Sequence, residues 1–214
     1  MSTRRSAGPD KASEIIASAA RLFRDKGVKA VSVDEIVQGA GVAKGTFYLY
    51  FKTKDDLLEK LSNALVEQIA LAAEAAGAVE AGAIDRFAAA VLAMQGAGRS
   101  QHHLVEALNH PENSALHELA NVALVRRVAP VLAAIVEQGR REGAFDVEDA
   151  EATIEFLLAG QAALLGGGRF DWSPDDHVRR LQATLIVIER ALGAPAGAIA
   201  ARFATLGMAP ADVS

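Results

Sequence analysis

The chain has 214 residues, 51% hydrophobic and 23% charged, a composition that excludes a disordered or fibrous protein and is typical of a soluble globular one. It contains no cysteine, which excludes disulfide bonds, thiolate metal sites and thiol redox chemistry. The net charge of −5 combines a balance of +5 over residues 1–54 with −10 over the remainder. This asymmetry favours a polyanionic partner for the N-terminal end, although chance clustering of charges on solvated helix faces would produce it too.

The N-terminus predicts no targeting segment. Arg4 and Arg5 are not followed by an apolar core, and nowhere do eighteen apolar residues run together. We therefore expect a cytoplasmic protein with neither a signal peptide nor a membrane span.

Apolar residues recur at spacings of three and four along almost the whole chain, and no segment alternates as a strand would, which predicts an all-α fold. A first helix over about 10–26 ends at Gly27. Ser32 followed by Glu35 predicts a capping box at the start of a second helix. That helix ends near Gly39, and a tight turn containing Gly41 leads to a third helix over about 43–51.

The rest of the chain predicts a larger helical body. A long helix over about 55–76 joins an N-terminal three-helix head, residues 1–54, to a C-terminal bundle, residues 55–214. Five further helices follow near 84–97, 101–108, 112–141, 149–165 and 174–192, which makes about nine in total. The tail has one weak helical stretch around 199–206, to which we assign no function.

The third helix has two chemically different faces. Phe47 and Phe51 are four residues apart and share a buried side, whereas Lys44 and Tyr48 project together beside Gly45. Since glycine has no side chain, a phosphate or base can approach closely there. The pattern indicates a helix-turn-helix whose third helix enters a DNA groove, although any small three-helix unit needs phenylalanines inside and polar residues outside.

These residues carry a resemblance to a known family. The stretch Ser32-Val33-x-x-Ile36-Val37-x-x-Ala40-Gly41-Val42-Ala43-Lys44-Gly45-Thr46-Phe47-Tyr48-x-Tyr50-Phe51-x-x-Lys54-x-x-Leu57 resembles the N-terminal signature of the tetracycline-repressor (TetR) family. The match covers roughly the first quarter of the chain. One departure is Ala43, where the family usually has serine, so a hydroxyl cap of the third helix is missing.

The resemblance implies a DNA-binding role for eight residues. Lys44, Gly45, Thr46 and Tyr48 would meet bases or phosphates, Tyr50 and Lys54 would hold the DNA backbone, and Ser32 and Val33 would contact phosphate. If Lys54 contacts a phosphate, its replacement by alanine should flatten the salt dependence of binding by about one unit. Arg4 and Arg5 could also reach a minor groove, but an unbound tail is the simpler interpretation.

The last two main helices predict a dimer interface. Val178, Leu181, Leu185, Ile188 and Leu192 form a coiled-coil-like seam, and the preceding helix adds Ile154, Leu158 and Leu165. The alternative is that both stripes complete the core of one monomer. The resemblance implies a homodimer formed through these helices, which would demand a pseudo-palindromic double-stranded operator.

The resemblance also implies that a small-molecule effector binds in the body, tilts the long helix and releases the DNA. The candidate residues for lining this pocket are apolar, which favours a hydrophobic or amphipathic effector, although such residues more often belong to an ordinary hydrophobic core. They are Leu92, Met94, Leu104, Leu108, Leu124, Val128 and Leu157.

Other kinds of site have little support in the sequence. His103, His110 and His117 repeat every seven residues, but Pro111 interrupts the helix they would share, so we predict neither metal nor cofactor. No catalytic constellation can be placed, and we predict no enzyme. Two alternatives stay open: an all-α small-molecule-binding protein or enzyme that no longer binds DNA, and a DNA-binding protein without an effector.

Overall fold

The computed structural model describes residues 11–109, 113–166 and 170–206, which form ten α-helices and no strand. The helices are α1 (Lys11–Lys26), α2 (Val33–Gly39), α3 (Lys44–Tyr50), α4 (Lys54–Gly77), α5 (Ala83–Ser100), α6 (His102–Asn109), α7 (Ser114–Glu142), α8 (Ala150–Leu165), α9 (Pro174–Ala191) and α10 (Ala198–Thr205). The predicted all-α architecture, with a small head and a larger bundle, is confirmed. Helix α10 corresponds to the weak helical stretch predicted in the tail.

The head is built around a compact apolar core. Phe23 of α1, Ile36 of α2 and Phe47 of α3 are almost completely buried there, together with Leu57 and Leu65 of α4. The first half of α4 therefore packs with the head, while its second half packs against the body. A domain boundary between residues 54 and 55 stays a prediction, since the core of the head continues across it along the chain.

Helix α7 forms the middle of the body. It packs on α4, α5 and α8, and Val128, Leu132 and Val136 are buried at these contacts. Among the described helices, α7 alone is long and apolar enough to cross a membrane by length and composition. A central helix of a folded bundle has the same character, and the packing of α7 on α4, α5 and α8 favours that interpretation.

Ionic contacts tie α4 to α7. The guanidinium of Arg127 on α7 donates from Nε and Nη2 to the two carboxylate oxygens of Glu67, both at 2.9 Å, and from Nη1 to Glu74 at 2.7 Å. Hydrogen bonding to Arg127 holds the pKa of Glu67 below its usual range. Because both glutamates lie on α4, Arg127 connects the helix that leaves the head to the central helix of the body.

A buried carboxylate holds α10 in place. Glu189 on α9 accepts hydrogen bonds from the backbone amides of Gly197 at 2.7 Å, Ile199 at 2.9 Å and Ala200 at 3.0 Å. These amides lie at the start of α10, where a helix has no internal acceptors for them. Glu189 therefore caps α10 and fixes it against α9, which lets Ile199 and Phe203 complete the body core.

The residues of the predicted dimer interface lie at different depths in the single chain. Ile154, Ile188 and Leu192 are at most 9% exposed and belong to the core of the body, so packing within one chain already accounts for them, and their place in an interface stays a prediction. Leu158, Leu181 and Leu185 are half-buried and line an internal cavity. The physical reason is that the α9 seam faces α8 and α10 of its own chain. Leu165 and Val178 are half-buried, and their place in an interface stays a prediction.

Candidate DNA-binding surface and body cavity

The capping box at the start of α2 is confirmed. Ser32 Oγ accepts from the Glu35 amide at 3.2 Å, and Glu35 Oε2 accepts from the Ser32 amide at 2.9 Å. Lys26 Nζ donates to Glu35 Oε1 at 2.7 Å. The hydrogen bonds from Lys26 and from the backbone and side chain of Ser32 lower the pKa of Glu35 from 4.5 to about 2. The first turn of α2 is thus fixed to the end of α1.

Two glycines position the end of α2 and the turn that leads to α3. Gly41 in the turn has a φ of +65°, a conformation that costs little for glycine and more for other residues. A Cβ atom at Gly39 would collide with Oγ of Ser18 on α1. The turn can therefore be tight, and the end of α2 can lie directly on α1.

Helix α3 is anchored by aromatic residues and exposes its other side. Phe47 and Phe51 are 0% and 1% exposed, with ring centroids 5.4 Å apart, as their spacing predicts. Tyr48 is 53% exposed, and its ring meets Phe47 edge-to-face. Ala43 makes no side-chain cap hydrogen bond, which confirms the predicted missing cap of α3. The burial of the phenylalanines fixes which side of α3 faces solvent.

The predicted DNA-contacting residues of α3 lie together on the surface. Lys44 and Gly45 are exposed and Thr46 is half-buried. A Cβ atom at Gly45 would meet nothing within 4 Å, so packing inside the chain does not require a glycine there. Tyr50, at the end of α3, is 38% exposed. Lys44 Nζ forms an ion pair with Asp34 of α2, and this hydrogen bond raises the pKa of Lys44.

The other predicted contacts have partners within the head. Ser32 is exposed, but its hydroxyl belongs to the capping box, and Val33 is half-buried against the head core. Lys54 Nζ donates to the carbonyl oxygens of Val28 at 2.9 Å and Val31 at 3.1 Å. This geometry gives Lys54 a structural role in holding the loop between α1 and α2. The two carbonyls take two of the three N–H donors of the ammonium group, which leaves one for a contact with phosphate.

Leu49 belongs to this surface but was not predicted. It is 82% exposed on α3, between Tyr48 and Tyr50. A large apolar side chain at such exposure is not explained by packing within the chain. Sequence reasoning missed Leu49 because it lies neither on the phenylalanine side of α3 nor among the polar residues of the exposed side. The only signal that could have identified it is its position between Tyr48 and Tyr50.

The body contains an apolar cavity of about 350 Å³. Its walls come from α5, α7, α8, α9 and α10, with Ile69 of α4 at one edge. Of the predicted lining residues, Met94, Leu124 and Leu157 are at the wall, whereas Leu104 and Leu108 belong to the core of the head. The contribution of α9 and α10 to the cavity was not predicted.

Some sequence predictions concern residues outside the described part of the chain. Arg4, Arg5, His110 and Pro111 are among them. Within the described residues, no group of three or more histidines and carboxylates is placed to hold a metal ion.

The chain thus combines an all-α fold with an N-terminal helix-turn-helix whose second helix, α3, exposes Lys44 and Tyr48. This combination is typical of DNA-binding regulators of the helix-turn-helix class. Family models agree: the model of bacterial regulatory proteins of the tetR family matches residues 15–61, and that of the tetracyclin repressor-like C-terminal domain matches residues 96–185. The chain belongs to the TetR family of bacterial transcriptional regulators.

Individual relatives show how far the likeness extends. The HTH-type transcriptional regulator EthR of Mycobacterium tuberculosis is 37% identical over 70 residues, which cover 33% of this chain and 32% of EthR. The match therefore spans about a third of the length of EthR from this and a related species. The uncharacterized HTH-type transcriptional regulator YhgD of Bacillus subtilis is 26% identical, and the match covers 76% of this chain and 84% of YhgD.

Among solved structures, that of RolR without ligand has a TM-score of 0.64 at 19% identity, covering 89% of this chain and 95% of RolR. The complex of RolR with resorcinol has a TM-score of 0.58 at 22% identity, and the match covers 95% of this chain and 96% of RolR. At these identities, the likeness concerns the fold.

Proposed function

We propose that this chain is a ligand-responsive transcriptional repressor, which binds a pseudo-palindromic operator as a homodimer and is released by a small, hydrophobic effector. The observation that carries the proposal is the outward face of α3, where Lys44, Gly45 and Tyr48 are exposed while Phe47 anchors the helix from behind. A short helix presented in this way suits the width of the major groove of DNA. Membership of a family of bacterial regulators supports a cytoplasmic site of action.

Each residue of the surface has a role set by its chemistry. Lys44, Thr46 and Tyr48 donate hydrogen bonds to phosphates or base edges, and Gly45 lets the duplex approach the helix backbone. Leu49 adds an apolar contact of the kind that thymine methyl groups accept. Ser32, Val33 and Tyr50 contact the phosphate backbone of DNA. Lys54 acts chiefly by holding the loop between α1 and α2, because its ammonium group donates to two carbonyl oxygens of that loop.

The homodimer forms through the outward faces of α8 and α9. Phe156 and Leu164 on α8 are 79% and 48% exposed, and Ile186 and Val187 on α9 are each 54% exposed. On α8 the apolar stripe continues through exposed alanines, among them Ala159, which permits close approach of a second helix. Contiguous apolar surface of this kind is typical of an interface between proteins.

The effector acts from the body cavity. Helix α4 carries Leu57 in the core of the head and Ile69 at the edge of the cavity, and Arg127 ties it to α7. A ligand that binds better to the conformation fitting DNA poorly shifts the population toward that state. The resorcinol complex of RolR is an example of a small molecule bound by a protein of this fold.

Gly45 supplies a sharp test of the DNA-binding surface. Replacement of a helical glycine by alanine in open space should raise stability by about 0.5–1 kcal/mol. If the duplex approaches Gly45 closely, Gly45→Ala should nevertheless weaken binding to duplexes enriched from a random pool by at least about ten-fold. Gly98→Ala on α5 is the matched control, since its Cβ would also meet nothing within 4 Å.

Fluorescence anisotropy measures the affinity, and thermal unfolding measures the stability of both variants. The proposal is overturned if Gly45→Ala binds the enriched duplexes with the affinity of the wild type. It is also overturned if the purified wild type enriches no duplex at low salt.

A further inference from the structure

The carbonyl oxygen at the end of α3 has a partner on the next helix. Nζ of Lys60 on α4 donates to the carbonyl oxygen of Tyr50 at 3.1 Å, and it lies 4.8 Å from the centroid of the Phe51 ring. The last four carbonyls of a helix have no partner within that helix. Since Tyr50 is the last residue of α3, Lys60 satisfies one of these carbonyls from outside the helix.

The backbone amide that follows Phe51 is also held by α4. Oδ2 of Asp56 accepts from the amide of Lys52 at 2.9 Å, and the amide of Asp56 donates to Oγ1 of Thr53 at 3.1 Å. Asp56 and Lys60 are four residues apart on α4, and Nζ of Lys60 lies 4.0 Å from Oδ1 of Asp56. One turn of α4 therefore holds the backbone on both sides of Phe51, whose ring is buried in the core of the head.

Helix α3 needs such support because it is short and has no side-chain cap at its other end. It has seven residues, and Ala43 at its start makes no cap hydrogen bond through its side chain. A helix of two turns is not stable in isolation, so contacts with the rest of the head decide where it lies. Phe47 anchors the middle of α3 in the core, whereas Tyr50 is 38% exposed and is held through its carbonyl by Lys60.

We propose that Lys60 is a positioning residue of the DNA-binding surface: by holding the carbonyl of Tyr50, it fixes the end of α3 so that the Tyr50 side chain meets the phosphate backbone of DNA. This inference rests on the proposed function, which makes Tyr50 a contact to DNA. The chemistry of lysine suits this role, since one ammonium group donates to the carbonyl while its charge lies over the Phe51 ring. Arginine can make both contacts, and methionine can make neither.

A double-mutant cycle distinguishes positioning of Tyr50 from other effects of a lost charge. Lys60→Met should weaken binding to duplexes enriched from a random pool about three- to ten-fold. In the Tyr50→Ala background this loss should shrink to less than about two-fold, because no tyrosine side chain is left to position. Lys60→Arg should keep the wild-type affinity within about two-fold. Fluorescence anisotropy at several salt concentrations measures all of these affinities.

Lys52→Met is the matched control. It removes a positive charge from an exposed side chain of the same segment and leaves the contact between Lys60 and Tyr50 intact. Its effect on affinity should be the same with and without the Tyr50 side chain. Circular dichroism and thermal unfolding establish that each variant is folded.

Isotope labelling reports on the hydrogen bond itself, without DNA. The chain has two tyrosines, and only Tyr50 is followed by a phenylalanine, Phe51. Labelling of tyrosine carbonyls with carbon-13 and of phenylalanine amides with nitrogen-15 therefore selects the carbonyl signal of Tyr50 in nuclear magnetic resonance spectra. That signal should shift in Lys60→Met and stay close to its wild-type position in Lys60→Arg.

Several results would overturn the positioning role. A loss of affinity that is the same with and without the Tyr50 side chain, or a salt slope flattened by about one unit in Lys60→Met, would indicate that Lys60 acts on DNA directly. Unchanged affinity or an unshifted Tyr50 carbonyl in Lys60→Met, or an affinity of Lys60→Arg as low as that of Lys60→Met, would also overturn it. All of these leave the proposed function standing. Failure of the wild type to bind any duplex would instead overturn the proposed function, and this inference with it.

Discussion

Lys44 Nζ lies 2.8 Å from Oδ1 of Asp34, so the first residue of α3 forms an ion pair with the first turn of α2 on the exposed surface of the head. Both side chains are more than half exposed, and the same carboxylate adds negative charge where the proposed DNA phosphates would lie. If Lys44 contacts DNA as proposed, the pair competes with DNA for it, and Asp34 should oppose binding to any duplex regardless of its sequence.

Replacement of Asp34 by asparagine should strengthen DNA binding. The change releases Lys44 and removes a like-charge repulsion, so affinity for operator and scrambled duplexes should rise together, by less than about ten-fold because the pair is exposed to solvent. Fluorescence anisotropy at two salt concentrations measures both affinities. Asp55→Asn at the start of α4 is the matched control. Unchanged or weaker binding by Asp34→Asn would contradict the competition.

Replacement of Lys54 by methionine tests its structural role. The variant keeps the aliphatic stem but removes the Lys54 donor from the carbonyls of Val28 and Val31, which should cost about 1–3 kcal/mol of unfolding free energy. The salt dependence of DNA binding should stay unchanged, measured beside urea unfolding. A salt slope flattened by about one unit, at wild-type stability, would instead place the ammonium group on a phosphate.

The capping box predicts a dependence of stability on pH. The pKa of Glu35 falls from 4.5 to about 2 on folding, so its carboxylate stabilises the head above pH 4.5, and this stabilisation is lost as the pH falls toward 2. The difference in unfolding midpoint between the wild type and Glu35→Gln should thus be full at neutral pH and vanish in acid. Glu59→Gln, at an exposed position on α4, is the control. A difference that is independent of pH would contradict this account.

Glu189 couples the stability of α10 to the cavity. Glu189→Ala removes the acceptor of three amides, and we expect a loss of about 2–4 kcal/mol of unfolding free energy. Glu189→Gln retains one acceptor oxygen and should lose about half as much. Because Phe203 of α10 lines the cavity, an apolar probe such as para-butylphenol, titrated by calorimetry, should also bind more weakly to Glu189→Ala than to the wild type. Loss of stability with unchanged ligand affinity would show that α10 is dispensable for the cavity.

The outward face of α8 predicts the oligomeric state. Phe156→Glu puts two carboxylates on an apolar interface between copies of the chain, and sedimentation should show a monomer where the wild type is a dimer. Val79→Glu, at a residue that is 50% exposed between α4 and α5, is the control and should stay dimeric. A monomeric wild type at micromolar concentration, or a dimeric Phe156→Glu, would contradict the proposed interface.

Local sequence was sufficient for the helix-turn-helix. The capping box of Ser32 and Glu35 and the positive φ of Gly41 follow from interactions within a few residues along the chain, and the spacing of Phe47 and Phe51 identifies the apolar side of α3. The absence of a side-chain cap at Ala43 was equally predictable from the sequence, because an alanine side chain has no hydrogen-bond acceptor. These features depend on backbone geometry and helical period, which neighbouring residues specify.

Tertiary packing alone decided what each face of a helix meets. The spacing from Val178 to Leu192 identifies one apolar side of α9, but the helical period is the same whether that side covers a partner or its own chain. Here it covers its own chain, and Ile186 and Val187 are left outside. The carbonyl partners of Lys54, more than twenty residues away, and the capping of α10 by Glu189 are likewise contacts between distant segments, which no local pattern encodes.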